Sequence, residues 1–185
     1  IINDIVEENK NSVRPIFKKH NFSNWQFLPG DAENLNFENN LDLIISTSTF
    51  QWFNDFNTFI TKAYNSLSPG GTLAFTSFGP NNLKEIRRTT NSGLKYLSTK
   101  EIREILLRNF IIKEISEENH TLLFNEPIQI LKHMKLTGVN GNSNKRWKPS
   151  DLKEFENKYR QINTKNNKFE LSYNPIYIIA QKPNN

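Results

Sequence analysis

The sequence predicts a single α/β domain built on an open, mostly parallel sheet, and three features carry that prediction. Residues 41–45 (Leu-Asp-Leu-Ile-Ile) and 72–78 (Thr-Leu-Ala-Phe-Thr-Ser-Phe) are short apolar runs without clean alternation. Such runs are too short for helices and suit strands covered on both faces. Between them Phe56, Phe59, Ile60, Ala63, Tyr64 and Leu67 recur at three- and four-residue spacing, the apolar stripe of a crossover helix. Ahead of both, Pro29-Gly30-Asp31-Ala32-Glu33 sets an isolated acid at a strand end. Open α/β sheets bind nucleosides in that crevice, beyond the carboxyl ends of their strands.

The remaining elements follow in chain order. Residues 1–5 are strand-like, and the chain opens on Ile1 rather than Met, which reads as a fragment cut mid-domain. Asn54 or Asp55 can cap the crossover helix, and Pro69-Gly70 ends it. Ser98-Thr99-Lys100-Glu101 is a capping box, with Leu97 placed to staple onto Ile102 and with Ile105 and Leu106 continuing the stripe, so a helix is predicted over 99–108. Residues 110–115 and 171–180 are the expected closing strands, and Pro175 should be confined to an edge or a bulge. Two amphipathic segments, 128–136 and 150–162, lie between them where a hairpin would need only a few residues. The stretch 125–165 is therefore expected to be a helical lid over an acceptor site, within one domain spanning 1–185. A stabilising flap without substrate contact is the plainer alternative.

Composition excludes several classes of function. With 185 residues the chain fits one compact domain. The formal charge is +5, but no run of Lys and Arg exceeds a pair and no aromatic platform interleaves with them, so no nucleic-acid partner is expected. An acidic protein partner fits such a charge equally well. There is no cysteine, and His20, His120 and His133 are far apart in sequence, so no metal site is expected. No run approaches the roughly 18 apolar residues of a membrane span, and the chain is expected to be a cytoplasmic monomer with no membrane association.

The order of Asp31, the aromatic run Phe50-Gln51-Trp52-Phe53 and Ser68-Pro69-Gly70-Gly71 resembles that of the class I S-adenosylmethionine-dependent methyltransferases. A narrower resemblance runs over nearly the whole chain, through Asn3-Asp4-Ile5, Gln51-Trp52-Phe53-Asn54-Asp55, Phe75-Thr76-Ser77-Phe78-Gly79-Pro80, Leu131-Lys132-His133-Met134-Lys135-Leu136-Thr137-Gly138-Val139 and Ser172-Tyr173-Asn174-Pro175-Ile176-Tyr177-Ile178-Ile179-Ala180. These motifs resemble the malonyl-[acyl-carrier protein] O-methyltransferase (BioC) family of biotin synthesis. Asn174 stands where many members carry His.

The resemblance implies a Rossmann-like class I methyltransferase sheet, mostly parallel with its last strand antiparallel and a helical lid inserted before that strand. It also implies that the family's first strand and glycine-rich loop are absent here, leaving a gap of about 10 Å in the sheet, and that the piece given is inactive by itself. S-adenosyl-L-methionine is the implied cofactor and malonyl-acyl-carrier protein the implied partner. In the family an acid ending the second strand accepts from the ribose hydroxyls, and Asp4 stands there; capping the segment after it is the alternative role. Asp31 would accept from the adenine amino group while the Ala32 backbone meets the ring, or else Asp31 would close an Asx turn. Ser46 ends a strand facing the amino-acid end of the cofactor, and Trp52 would face its sulfonium, with Phe53 left to pack the core. Lys132, His133 and Lys135 on the lid would border the acceptor, with Arg87 and Arg88 as further basic candidates; ordinary solvated surface is the alternative for each.

A carboxylate acceptor is ionised near neutral pH, so no catalytic residue is required as a base. Rival readings are a class I methyltransferase for another small-molecule acceptor and a non-catalytic methyltransferase-like binding module.

Overall fold

The computed structural model describes residues 1–138, 147–162, 164–165 and 167–184. The chain runs through β1 (Ile2–Asp4), a 3-10 turn over Glu7–Asn9, α1 (Lys10–Lys19), β2 (Phe27–Pro29) and β3 (Leu41–Thr47). After a second 3-10 turn, Phe50–Trp52, come α2 (Phe56–Ser66), β4 (Leu67–Phe78), α3 (Lys84–Thr90) and α4 (Thr99–Leu106). The last part comprises β5 (Ile111–Glu117), β6 (His120–Phe124), α5 (Pro127–Leu136), α6 (Pro149–Ile162), β7 (Thr164–Lys165), β8 (Lys168–Tyr173) and β9 (Pro175–Gln181).

The main sheet comes in two pieces. β1 and β2 form a parallel pair, and a separate piece has the order β3-β4-β9-β5. β3 and β4 run parallel, while β9 is antiparallel to β4 and β5 on either side of it. The last strand alone is therefore reversed. α2 and α4 lie on this piece, and their apolar stripes close a core of Phe59, Ile60, Ala63, Ile102 and Leu106 over Leu73, Phe75, Ile176 and Ile178.

Helix starts follow the caps in the sequence. The Asp55 side chain accepts from the Thr58 N–H at 2.9 Å, and the capping box of Ser98 and Glu101 is formed in both directions. α4 ends at Leu106, two residues before the predicted limit.

Three strand expectations need correction. The run 41–45 was expected to be central and covered on both faces, but β3 is an edge. Ile44 packs against the core, whereas Leu43 is 50% and Ile45 65% exposed, because the other face of β3 is left open. The covered central strand is β4, flanked by β3 and β9. The run 171–180 was expected to be one strand, and it is two strands in two sheets, since β8 pairs with β6 and β7 while β9 enters the main sheet. Pro175 lies neither on an edge strand nor at a bulge. It is the first residue of an interior strand, where the missing N–H falls at the start of the ladder.

The predicted segments 128–136 and 150–162 are α5 and α6. They cover the small β6-β8-β7 sheet through a second core of Ile130, Met134, Phe155, Tyr159, Phe169 and Leu171, which also receives Leu83 from the turn before α3. The stretch 125–165 is thus part of a small α/β layer. Val139 and the rest of 139–146 lie outside the described residues.

Candidate active site

Parallel pairing places Asp4 and Pro29 in register at the carboxyl ends of β1 and β2, and the Gly30 N–H donates to the Asp4 carbonyl at 2.9 Å. The Asn3 side-chain amide donates to the carbonyls of Leu28 and Gly30, both at 2.8 Å, and ties the two strand ends together. The Asp4 carboxylate accepts from the Val6 N–H and from the Asn9 side chain, each at 2.8 Å, so it closes a turn and caps no helix. Asp31 accepts from the Glu33 N–H at 2.9 Å and the Asn34 side chain at 3.0 Å, which is the Asx turn its position allows. A carboxylate has about four acceptor sites, so each acid keeps capacity for a ligand's donors.

Glu33 and Lys62 fasten the Asp31 loop to the next one. Glu33 accepts from the Asn54 N–H at 3.0 Å and the Asp55 N–H at 2.8 Å, and the Lys62 ammonium donates to the carbonyls of Glu33 and Leu35. Ala32 is half-buried against the core beside them.

Ser46 pairs with Phe75 near the end of β3, and two residues later the chain turns sharply. Ser48 has φ +51°, and its N–H donates to both the carbonyl and the hydroxyl of Thr76. That turn throws Phe50 into the core, where its ring meets those of Phe53, Phe56, Phe59 and Phe75, and leaves Trp52 37% exposed. The Gln51 side-chain N–H donates to the Ser48 carbonyl, while Gln51 Oε1 is buried without a hydrogen-bond partner among the described residues. A buried acceptor left unpaired costs about 1–3 kcal/mol, which a donor from a ligand would recover.

Trp52, Gln51 and Ser48 line one end of a cavity of about 1500 Å³. α3 and the segment after it form one wall, and α5 and α6 form another. Lys132, His133 and Lys135 of α5 are all in its lining. His133 is half-buried, with its Nε2 2.9 Å from the Tyr173 hydroxyl and its ring against Phe124, whereas Lys132 and Lys135 are exposed. The structure therefore brings Trp52 together with Lys132, His133 and Lys135 in one cavity. Asp4, Asp31, Ala32 and Ser46 are outside that lining, at or just beyond the carboxyl ends of β1, β2 and β3.

The sequence did not single out Glu85, Tyr96, Tyr173 or the lone acceptor of Gln51, whereas Arg87 was among its basic candidates. Glu85, on α3, is buried and accepts from the Ser172 N–H at 2.9 Å and the Ser172 hydroxyl at 2.7 Å, fixing α3 to β8. Arg87 lies against the ring of Tyr96 in the cavity wall. Tyr173 stood within a motif of the sequence, but its place in an apolar run suggested a strand residue only. For the lone acceptor on Gln51, the polar residue inside an aromatic run was the available signal.

A family model described as a methyltransferase domain matches residues 2–75. The chain is 42% identical over 167 residues to the malonyl-[acyl-carrier protein] O-methyltransferase of Calditerrivibrio nitroreducens, covering 88% of this chain and 68% of that one. It is 36% identical to the protein of the same name from Chlorobium luteolum, covering 97% and 69%, and 40% identical to that from Bacteroides fragilis, where it spans 36% of the longer protein. Among solved structures, a candidate methyltransferase of Bacillus halodurans superposes with a TM-score of 0.70 at 16% identity, over 98% of this chain and 81% of the other. The N-methyltransferase NodS of Bradyrhizobium japonicum, solved with S-adenosyl-L-homocysteine, does so with a TM-score of 0.53 at 14% identity, over 98% and 65%. The structures establish the Rossmann-like methyltransferase fold, and from the curated relatives the chain belongs to the malonyl-[acyl-carrier protein] O-methyltransferase family.

Proposed function

We propose that this chain carries the methyl-transfer domain of an enzyme that uses S-adenosyl-L-methionine to methylate the free carboxylate of a malonyl thioester on acyl-carrier protein, in the synthesis of the biotin precursor. One observation carries the reading. A single cavity joins the turn at Ser48, Gln51 and Trp52, beyond the carboxyl ends of the parallel strands, to the basic face of α5. It is large enough for an acyl group and the thiol end of its carrier arm.

The acceptor groups near the strand ends fit the cofactor. Its amino, ribose and adenine ends present donors, and Gln51 Oε1, Asp4 and Asp31 offer acceptors at successive positions along the strand ends. Asp4 would hold the ribose, Asp31 and the Ala32 backbone the adenine, and Ser46 with the Gln51 turn the amino-acid end. When bound, the cofactor supplies a methyl group on a positively charged sulfur that leaves as a neutral thioether. Trp52 would shield that charge from water, where a desolvated aromatic face contributes about 1 kcal/mol or more of attraction.

The acceptor carboxylate, with a pKa of about 4, is ionised at neutral pH, so this chain would need no base and none of its residues would have to take or give a proton. The protein's work is then alignment and exclusion of water around two opposite charges that cancel. α5 and α6 act as the lid over the acceptor, and Lys132 and Lys135 on its exposed face steer an acidic carrier, with His133 turned inward.

The test is methyl transfer by the full-length gene product to malonyl-acyl-carrier protein beside free dicarboxylic acids. Turnover of the carrier-bound substrate is expected. Turnover of free acids alone would replace this reading with that of a small-molecule methyltransferase. Reversing charge at Lys132 and Lys135 should raise KM for the carrier-bound substrate about tenfold and leave a short malonyl thioester unaffected; an unchanged KM dismisses the steering role.

A further inference from the structure

The wall of the cavity facing the lid holds a cation in a more fixed state than Lys132 or Lys135. Arg87, on α3, is half-buried, and its guanidinium donates to the backbone carbonyls of Pro80 and Asn82 while its face lies 5.3 Å from the ring centre of Tyr96. Gly93 makes room for the side chain, since a Cβ there would stand 2.5 Å from Arg87 Cγ. Arg87 takes part in none of the described ion pairs. Two of its five donors can serve the two carbonyls, and three remain in a rigid fork.

Tyr173 and His133 complete the arrangement in the same cavity. Their side chains are hydrogen-bonded at 2.9 Å. Burial holds both the Tyr173 and the Tyr96 hydroxyl above the ordinary tyrosine value, so each stays a neutral O–H near neutral pH. The Tyr173 hydroxyl, hydrogen-bonded to His133 and to the Thr137 side chain, borders the cavity on this side. A fixed guanidinium outside the described ion pairs and a neutral phenol, lining a cavity that also holds Asp151 and Glu154, fit a planar group with a single negative charge.

We infer that Arg87, seated on Tyr96 and joined by the Tyr173–His133 pair, is the recognition site for the free carboxylate of the acceptor. This rests on the methyl-transfer reading above and assigns it a residue. Arg87 and Tyr173 touch the acceptor, while Tyr96 and His133 position them. The fork can hold one carboxylate oxygen and leave the other to attack, so orientation does not remove the nucleophile. Methylation then erases the charge that Arg87 recognises, and the ester product is held less tightly than the acid.

The test is a calorimetric titration of the full-length gene product, saturated with S-adenosyl-L-homocysteine, with malonyl-pantetheine and separately with its methyl ester. The wild type should bind the acid at least tenfold tighter than the ester. Arg87→Gln and Tyr173→Phe should each bring that ratio toward one, with S-adenosyl-L-homocysteine affinity and thermal midpoint held within narrow limits of the wild type. Equal affinities in the wild type, or a full acid preference retained in Arg87→Gln, overturn the assignment. Should Arg87→Gln not fold, Arg87→Lys replaces it under the same criteria, since it keeps a donor for the two carbonyls but loses the fork. Methyl transfer by the wild type is scored apart: an acid preference that depends on Arg87, without turnover, removes the proposed reaction and leaves the carboxylate site standing.

Discussion

Asn174 is the residue at which the chain leaves one sheet for the other. It is fully buried, and every polar group it carries is engaged. Its side-chain oxygen accepts from the Asn81 N–H, its amide donates to Glu117 and to the Glu118 carbonyl, its N–H donates to Asn82, and its carbonyl accepts from Gly79. An amide in this setting has no proton to exchange with a substrate, so the position is a junction that holds the ends of β4, β5, β8 and β9 together. Asn174→Ala removes three side-chain hydrogen bonds, to the Asn81 N–H, the Glu117 carboxylate and the Glu118 carbonyl. At about 0.5–1.5 kcal/mol net for each, it should lower unfolding stability by roughly 1.5–4.5 kcal/mol. Urea unfolding measures this, and a loss below about 1 kcal/mol would show that the junction is not held by these bonds. The sequence could not announce such a residue, because an Asn between Tyr173 and Pro175 is equally compatible with a strand interrupted by a turn. The aromatic run was legible only as a group: Phe53 and Trp52 lie three and four residues before Phe56, so the spacing of the buried stripe does not by itself separate the ring packed on the core from the exposed one.

Helices with a cap and a periodic stripe were readable, and those without were not. α2, α4, α5 and α6 each have both or nearly so. α1 buries nothing and contains Pro15, and α3 has seven residues and begins after Leu83 in a left-handed conformation that the sequence does not signal. The small sheet escaped for another reason, since β6 and β8 are separated by the 43 residues 125–167, which include two helices, and no short hairpin links them. The α4 capping box makes a pH prediction. Donation from the Ser98 N–H, and then from its hydroxyl, holds the Glu101 carboxyl below its ordinary value of 4.5. A folded-state pKa below the unfolded one contributes stability that is complete above the unfolded value and is lost as pH falls through the folded value. Glu101→Ala should therefore have a lower urea midpoint than the wild type at neutral pH, and the difference should shrink once the pH is taken below the ordinary glutamate range. A difference independent of pH would show that the charge on Glu101 is not what the cap uses.

At the scale of the molecule the architecture is two cores and a lightly held first segment. One core lies between β4, β9, α2 and α4, the other under α5 and α6, and Glu85 and Asn174 link them. β1, α1 and β2 contribute Phe27 as their one buried hydrophobic residue, and Ile5, Ile16 and Phe22 are exposed. Yet this segment and the loop after it bear Asp4 and Asp31, the acids we propose for ribose and adenine. Segments with few buried contacts open with free energies well below that of global unfolding, so cofactor binding and local order are coupled there. Hydrogen exchange of the full-length gene product makes that measurable. The N–H groups of Val6, Gly30 and Glu33 are bonded to Asp4 or Asp31 and should exchange quickly without ligand. At a ligand concentration about 100 times Kd, an opening that excludes the ligand becomes about 2.7 kcal/mol more costly, so S-adenosyl-L-homocysteine should slow these amides about a hundredfold. The exposed strand β6 lies in the other layer and opens without disturbing the acids, so its amides should exchange at the same rate with and without ligand. Equal slowing in both regions would mean that the molecule opens as one unit. No slowing at Val6 and Glu33, with binding established by calorimetry, would place the nucleoside elsewhere than on Asp4 and Asp31.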